Sequence, residues 1–191
     1  METIAVVLRQ PEQIELNRLA LTPPTADDVV VDVDWSGVST GTERLLWSGR
    51  MPPFPGMGYP LVPGYESVGR VVEAGTATGL HPGQRVFVPG AKCFGEVRGL
   101  FGASASRLVA TAKRVVPLDQ NLGERGILLA LAATAYHAIA AQGAQAPDCI
   151  VGHGVLGRLL ARISIAVRNE PPTVWEKNPA RVGGAVDYGV I

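Results

Sequence analysis

Between a short apolar run and a long one, the stretch CIVGHGVLGRLLARI carries Gly152, Gly154 and Gly157 in the spacing G-x-G-x-x-G. Placed after a strand-like run and at the start of a helix-like one, that spacing narrows the fold more than any other feature of the chain. The first glycine allows a sharp turn, the second lets backbone come close to a pyrophosphate, and the third lets helix and strand pack tightly. The helix N-terminus then faces the phosphate charge with its free N–H groups. A second short apolar run, in PPTVWEKN, ends at Glu176, nineteen residues past Gly157 (176 − 157). A carboxylate at that distance accepts hydrogen bonds from the adenosine ribose hydroxyls.

Strand, glycine turn, helix and strand together predict the opening of a parallel dinucleotide-binding sheet. The candidate cofactor-binding residues are Gly152, Gly154, Val155, Leu156, Gly157 and Glu176. A carboxylate at 176 repels a ribose phosphate and so favours NAD over NADP. Lys177 and Arg181 pull the other way unless they are ordinary solvated charges. His153 reads as a side chain tolerated at an x position of the turn.

Upstream the texture is different. IAVVL, DVVVDVDW, ESVGRVV, QRVFV, RLVA and RVVPL are short β-branched runs separated by glycine and proline, the pattern of a small all-β barrel. In DVVVDVDW, Val29, Val31, Val33 and Trp35 alternate with Asp28, Asp32 and Asp34, which predicts a strand with one wet side. From Gly123 to Gln142 the alanine- and leucine-rich run GERGILLALAATAYHAIAAQ predicts a helix of several turns. The expected fold class is therefore α/β plus β, with a barrel domain over 1–120 and the start of a nucleotide-binding domain over 121–191.

Composition excludes several classes. Seventeen basic and seventeen acidic residues leave no net charge, so neither nucleic acid nor an anionic membrane is favoured as a partner. Two cysteines, Cys93 and Cys149, build neither a disulfide framework nor a four-thiolate zinc lobe, and a reducing cytoplasmic home is expected. METIAVVLRQPEQIEL lacks the pattern of a signal peptide, and no stretch approaches the roughly 18 apolar residues of a transmembrane span.

VPGYESVGRVVEAG (Val62 to Gly75) followed by HPGQRVFV, and then the glycine turn, resembles the medium-chain dehydrogenase/reductase superfamily over essentially the whole chain. More narrowly, Trp35 to Gly75 is similar to the zinc-free branch that serves bacteriochlorophyll synthesis. The resemblance implies a GroES-like barrel followed by a Rossmann domain. It also implies NAD as cofactor, a tetrapyrrole substrate, and oxidation of its hydroxyethyl side chain to acetyl. Zinc-bearing members hold their catalytic metal with cysteine, histidine and cysteine, and the matching positions here are Thr40 (or Ser39), Tyr65 and Ala130. Methyl and hydroxyl groups do not supply the thiolate or imidazole that zinc prefers, so no catalytic zinc is expected.

Without a Lewis acid the alcohol must lose its proton to a side chain, and Tyr65, Glu66, Ser39 and Thr40 are the candidates. Tyr65 is alternatively a packed aromatic filling the lost metal site, and Glu66 a structural carboxylate paired with Arg44 or Arg70. The resemblance places Thr134 against the nicotinamide and leaves His137 a core or rim histidine. Phe54, Met57 and Tyr59, on a proline-stiffened loop, either lean on a flat macrocycle or pack at the surface. A homodimer stays open. The chain ends at VDYGVI, where a third nucleotide-sheet strand begins, and so reads as a truncated member, expected to bind nucleotide weakly and not to turn over. Two other readings stand beside this one: a zinc-free quinone or enone reductase using NADPH, and a non-catalytic nucleotide- or chlorin-binding module.

Overall fold

In the computed structural model, which describes residues 1–191, the β-branched runs become strands. They are β1 (Glu2–Gln10), β2 (Gln13–Ala20), β3 (Asp28–Ser36), β4 (Leu61–Val62), β5 (Ser67–Ala74), β6 (Arg85–Val88), β7 (Arg98–Gly99), β8 (Arg107–Thr111) and β9 (Val116–Pro117). A six-residue helix α1 (Thr42–Trp47) interrupts them between β3 and β4. Two sheets result, one ordered β2-β1-β4-β7 and one ordered β8-β3-β5-β6-β9. A bridge between Ala5 and Ala105 and the bond from Val6 N to Ser104 O (2.9 Å) join β1 to the segment leading into β8. The core between the sheets is mostly β-branched, with Val7, Val29, Val31, Val71, Val86 and Leu108 all buried.

Strand β3 departs from simple alternation. Val30, on the aspartate side, is fully buried, whereas Trp35, expected among the core valines, is 39% exposed. The pairing of β3 with β5 shifts register between Val30 and Val31 and again between Val33 and Trp35. Each irregularity re-aims the side chains beyond it. Trp35 ends outside the core, its ring 5.3 Å from the Arg85 guanidinium. Gly69 of β5 is required where the strands meet, because a Cβ there would overlap the Asp32 carbonyl oxygen.

The helix expected over Gly123–Gln142 is two pieces. Gln120–Leu128 is a 3-10 segment broken at Gly123 (φ 54°, ψ −139°), and α2 runs only over Leu129–Ala140. Glycine takes that backbone conformation at little cost, so the regular helix starts after it. The chain divides into two compact units, Met1–Leu128 and Leu129–Ile191.

In the second unit β10 (Cys149–Val151), α3 (Val155–Arg168), β11 (Thr173–Trp175) and β12 (Gly189–Val190) follow α2. The three strands form a parallel sheet in the order β10-β11-β12. The final strand therefore does pair, with Thr173 opposite Gly189 and Val174 opposite Val190. Ile150, Ala161 and Val174 form its small core, with Tyr188 and Val190 packed against them. Arg168 of α3 donates to the carbonyls of Ile139 (2.8 Å) and Ala144 (3.0 Å), tying α3 to the end of α2. No helix is long and apolar enough to cross a membrane.

Candidate functional site

The glycine turn sits between β10 and α3. Gly152 has φ +102°, and a Cβ at either Gly152 or Gly154 would meet nothing within 4 Å, so the outer side of the turn is open. Gly157 differs: a Cβ there would overlap the Gly152 carbonyl oxygen, which makes it the residue that lets helix and turn close on each other. Val155 and Leu156 open α3 and remain exposed. Glu176 follows β11 at the edge of a space of about 610 Å³ lined also by Gly152, Trp175, Lys177 and Arg181.

The Glu176 carboxylate is oriented by backbone. Its Oε1 accepts from Asn178 N and its Oε2 from His153 N, both at 2.8 Å. These bonds, first Asn178 and then His153, hold its carboxyl below the usual glutamate range. An ionised carboxylate has further lone pairs, so both oxygens can still accept from hydroxyl donors.

His153 is not a bystander at an x position. It is fully buried, with Nδ1 2.6 Å from Arg181 O and Nε2 2.7 Å from the Tyr188 hydroxyl. A carbonyl only accepts, so Nδ1 carries the proton and Nε2 accepts from Tyr188. Arg158 reinforces the same link by donating to His153 O (3.1 Å), Arg181 O (2.9 Å) and Gly183 O (2.8 Å). Sequence spacing gave no sign of this strut, because its partners lie 28 and 35 residues ahead.

Thr134, on α2, is exposed and donates its hydroxyl to Ala130 O at 3.0 Å, a bond within the helix. His137 is exposed on the same helix and is not a core residue.

The first unit gathers the other candidates around α1. Ser39 Oγ accepts from Gly41 N (3.3 Å) and Thr42 N (3.1 Å), so its acceptor capacity turns the chain into α1. Ser39 and Thr40 line a cleft of about 540 Å³ with Glu43, Arg44 and Trp47 of α1 and apolar side chains of β1 and β2. Tyr65 is half-buried and packs edge-on against Phe101, ring centroids 5.9 Å apart. Glu66 is 6% exposed and has no ion pair; the expected partner Arg70 bonds to Gln120 and lies 3.9 Å from Asp34, and Arg44 pairs with no carboxylate. The reading of Glu66 as one half of a structural ion pair is thus corrected: no cation pairs with it, and its side chain lies against Gly37.

Glu43 was not among the sequence candidates. Burial lifts its carboxyl, opposed by hydrogen bonds with the backbone of Glu43, Ser39 and Gly64 and with the Ser39 side chain. Burial likewise lifts Glu66, and the charge of Glu43 lifts it further. The sequence signal was an acid in the first turn of a helix beside Ser39 and Thr40 (STGTE), which reads as ordinary N-terminal charge preference. The Phe54, Met57 and Tyr59 side chains pack with Leu8, Leu46, Leu61 and Leu100 in a second small core, and Tyr59 donates its hydroxyl to Leu46 O.

The profile of the alcohol dehydrogenase GroES-like domain matches residues 25–120, just over half of the 191 residues. The chain belongs to that family. Over its whole length it is 58% identical to the 2-desacetyl-2-hydroxyethyl bacteriochlorophyllide A dehydrogenase of Rhodobacter capsulatus and covers 61% of that protein. It is 55% identical to the protein of the same name from Cereibacter sphaeroides, covering 62% of it. The chain thus spans about three fifths of the length of these curated relatives. Among solved structures, the short chain alcohol dehydrogenase (rspB) of Escherichia coli complexed with NADH superposes with a TM-score of 0.78 at 20% identity, over all of this chain and 62% of the other. That likeness establishes the fold, a GroES-like barrel followed by a Rossmann-type unit.

Proposed function

We propose that the protein serves the oxidation of the hydroxyethyl side chain of a bacteriochlorophyllide to an acetyl group, with NAD as the hydride acceptor and without a catalytic zinc. The observation that carries this reading is the 58% identity over the whole chain to a dehydrogenase named for that substrate. The glycine turn supports the cofactor, because Gly152 and Gly154 leave an open cradle at the N-terminus of α3. Gly152, Gly154 and the free N–H groups of Val155 and Leu156 would hold the pyrophosphate, and Glu176 the adenosine ribose. Bound there, a nicotinamide dinucleotide supplies an acceptor for the hydride.

The donor set supports a zinc-free reaction. Ser39 and Thr40 offer hydroxyls and Tyr65 a phenol where the superfamily's metal ligands stand, and no three His, Cys, Asp or Glu side chains converge anywhere in the chain. Zinc prefers thiolate and imidazole, which these positions lack. The alcohol proton must therefore pass to a side chain of the protein.

The carboxylate of Glu176, which accepts from two backbone N–H groups, supports NAD over NADP in this reading, because its charge would repel a ribose phosphate. Titration calorimetry is expected to show NAD binding more tightly than NADP. Glu176→Ala is expected to weaken NAD about tenfold, with a smaller loss or a gain for NADP. Equal losses for both nucleotides would leave Glu176 without a part in cofactor choice. Absence of both nucleotide binding and hydroxyethyl chlorin binding by the folded protein would sink the functional reading itself.

A further inference from the structure

Two glutamates in the barrel carry buried carboxyl oxygens that nothing satisfies. Glu66 Oε1 and Glu43 Oε2 are both shut off from solvent without a hydrogen-bond partner. Neither side chain belongs to any of the five ion pairs of the chain, which fall on Glu2, Glu15, Asp32 and Asp34. An unsatisfied buried carboxyl oxygen is costly, and a second negative charge adds to that cost unless one group keeps its proton.

Their setting relates them to the cleft. Glu43 lies in its wall, and Arg44 is the only other charged side chain there; the remaining surface is dominated by Val6, Ile14, Val38 and Trp47. Glu66 does not line the cleft, and its Oε2 is so close to Gly37 that a Cβ on this glycine would overlap it. Gly37 leads directly into Val38, Ser39 and Thr40, which line the cleft. Burial raises both carboxyls, and the charge on Glu43 is a further cause for Glu66 alone. The charge on Glu43 thus favours the protonated form of Glu66.

We propose that Glu43 and Glu66 form a carboxylate–carboxylic acid pair holding one proton, and that Glu43, the member facing the cleft, accepts the hydroxyl proton of the alcohol. This rests on the oxidation proposed above. In that step the C–H bond of the carbinol breaks and its electron pair leaves as hydride to the nicotinamide dinucleotide. The O–H bond breaks with its proton going to the Glu43 carboxylate, and a C=O bond forms. The proton then leaves through the open cleft. Ser39 is a poorer acceptor because its oxygen already receives two backbone N–H bonds. Tyr65 does not line the cleft.

Infrared spectroscopy of this chain tests the pair without any cofactor. At neutral pH the wild type is expected to show the carbonyl stretch of one protonated carboxyl, lost in Glu66→Gln and retained in Glu43→Gln. A wild-type spectrum without that band overturns the pair. Turnover is tested in the chain joined to the remaining two fifths of the Rhodobacter capsulatus relative. There Glu43→Gln is expected to lower kcat by about 100-fold or more with chlorin affinity unchanged, and Glu43→Asp to recover part of it. Full kcat in Glu43→Gln, or its loss in Tyr65→Phe instead, removes Glu43 from the role. If the joined wild type oxidises no hydroxyethyl chlorin, the functional reading fails, and the infrared band still decides the pair.

Discussion

Replacing Gly157 with alanine is expected to destabilise the second unit by up to about 2 kcal/mol net, since forcing an extra methyl into close-packed surroundings costs about 1–3 kcal/mol. The new Cβ would overlap the Gly152 carbonyl oxygen, a backbone atom that cannot swing aside as a flexible side chain would. Alanine's better helix propensity returns at most about 1 kcal/mol of that loss. For a unit of this size, a net cost of about 2 kcal/mol lowers its melting temperature by roughly 10 °C. Gly154→Val sets the contrast. A Cβ there would meet nothing within 4 Å, so the unit is expected to stay folded while the branched side chain takes up space for a pyrophosphate. Calorimetry and nucleotide titration of the two variants should therefore separate: Gly157→Ala melts early, whereas Gly154→Val melts normally and no longer binds nucleotide. Similar melting for both would show that the three glycines do not divide their duties in this way.

What could be read from the sequence was whatever depends on neighbours along the chain. The strands of the barrel and the succession β10, glycine turn, α3, β11 follow from local period, and the comparisons establish the same GroES-like and Rossmann-type fold. What failed depends on pairing across the chain. Trp35 falls in step with Val33, two residues before it, yet the register shifts against β5 turn it outward. The start of α2 was misplaced because Gly123, one glycine in a helix-like composition, takes a non-helical backbone. Phe54, Met57 and Tyr59 read equally as a loop for a flat macrocycle or as a packed surface loop, and their packing against Leu46, Leu61 and Leu100, distant in sequence, favours the second. Glu43 was passed over for the same reason. Its first-turn position is where helices favour acids, and its chemical interest comes from Glu66, which stands twenty-three residues later (66 − 43).

His153→Leu is expected to loosen the end of the second unit from the glycine turn at a cost of about 2–4 kcal/mol. Leucine matches the buried volume roughly but offers no polar atom, so the Tyr188 hydroxyl loses its acceptor at Nε2 and Arg181 O loses one of its two donors. Orphaning a buried polar group costs about 1–3 kcal/mol, and the edge-to-face contact of the His153 and Tyr188 rings (centroids 5.6 Å apart) is lost as well. The backbone N–H of residue 153 still donates to Glu176, so the carboxylate keeps one of its two orienting bonds in the variant. Loss should therefore concentrate in β12, whose packing depends on Tyr188, and spare β10. Hydrogen exchange gives the readout at the amide of Ile191, which bonds to Val174 O (2.8 Å), and at that of Glu176, which bonds to Ile191 O (2.9 Å). Both are expected to exchange about 30-fold faster or more in His153→Leu, while Gly152 N, bonded to Trp175 O at 2.7 Å, changes far less. Uniform acceleration at all three amides would mean that the histidine supports the whole sheet and does not fasten its last strand in particular. Unchanged exchange would mean that Arg158 alone holds the segment in place.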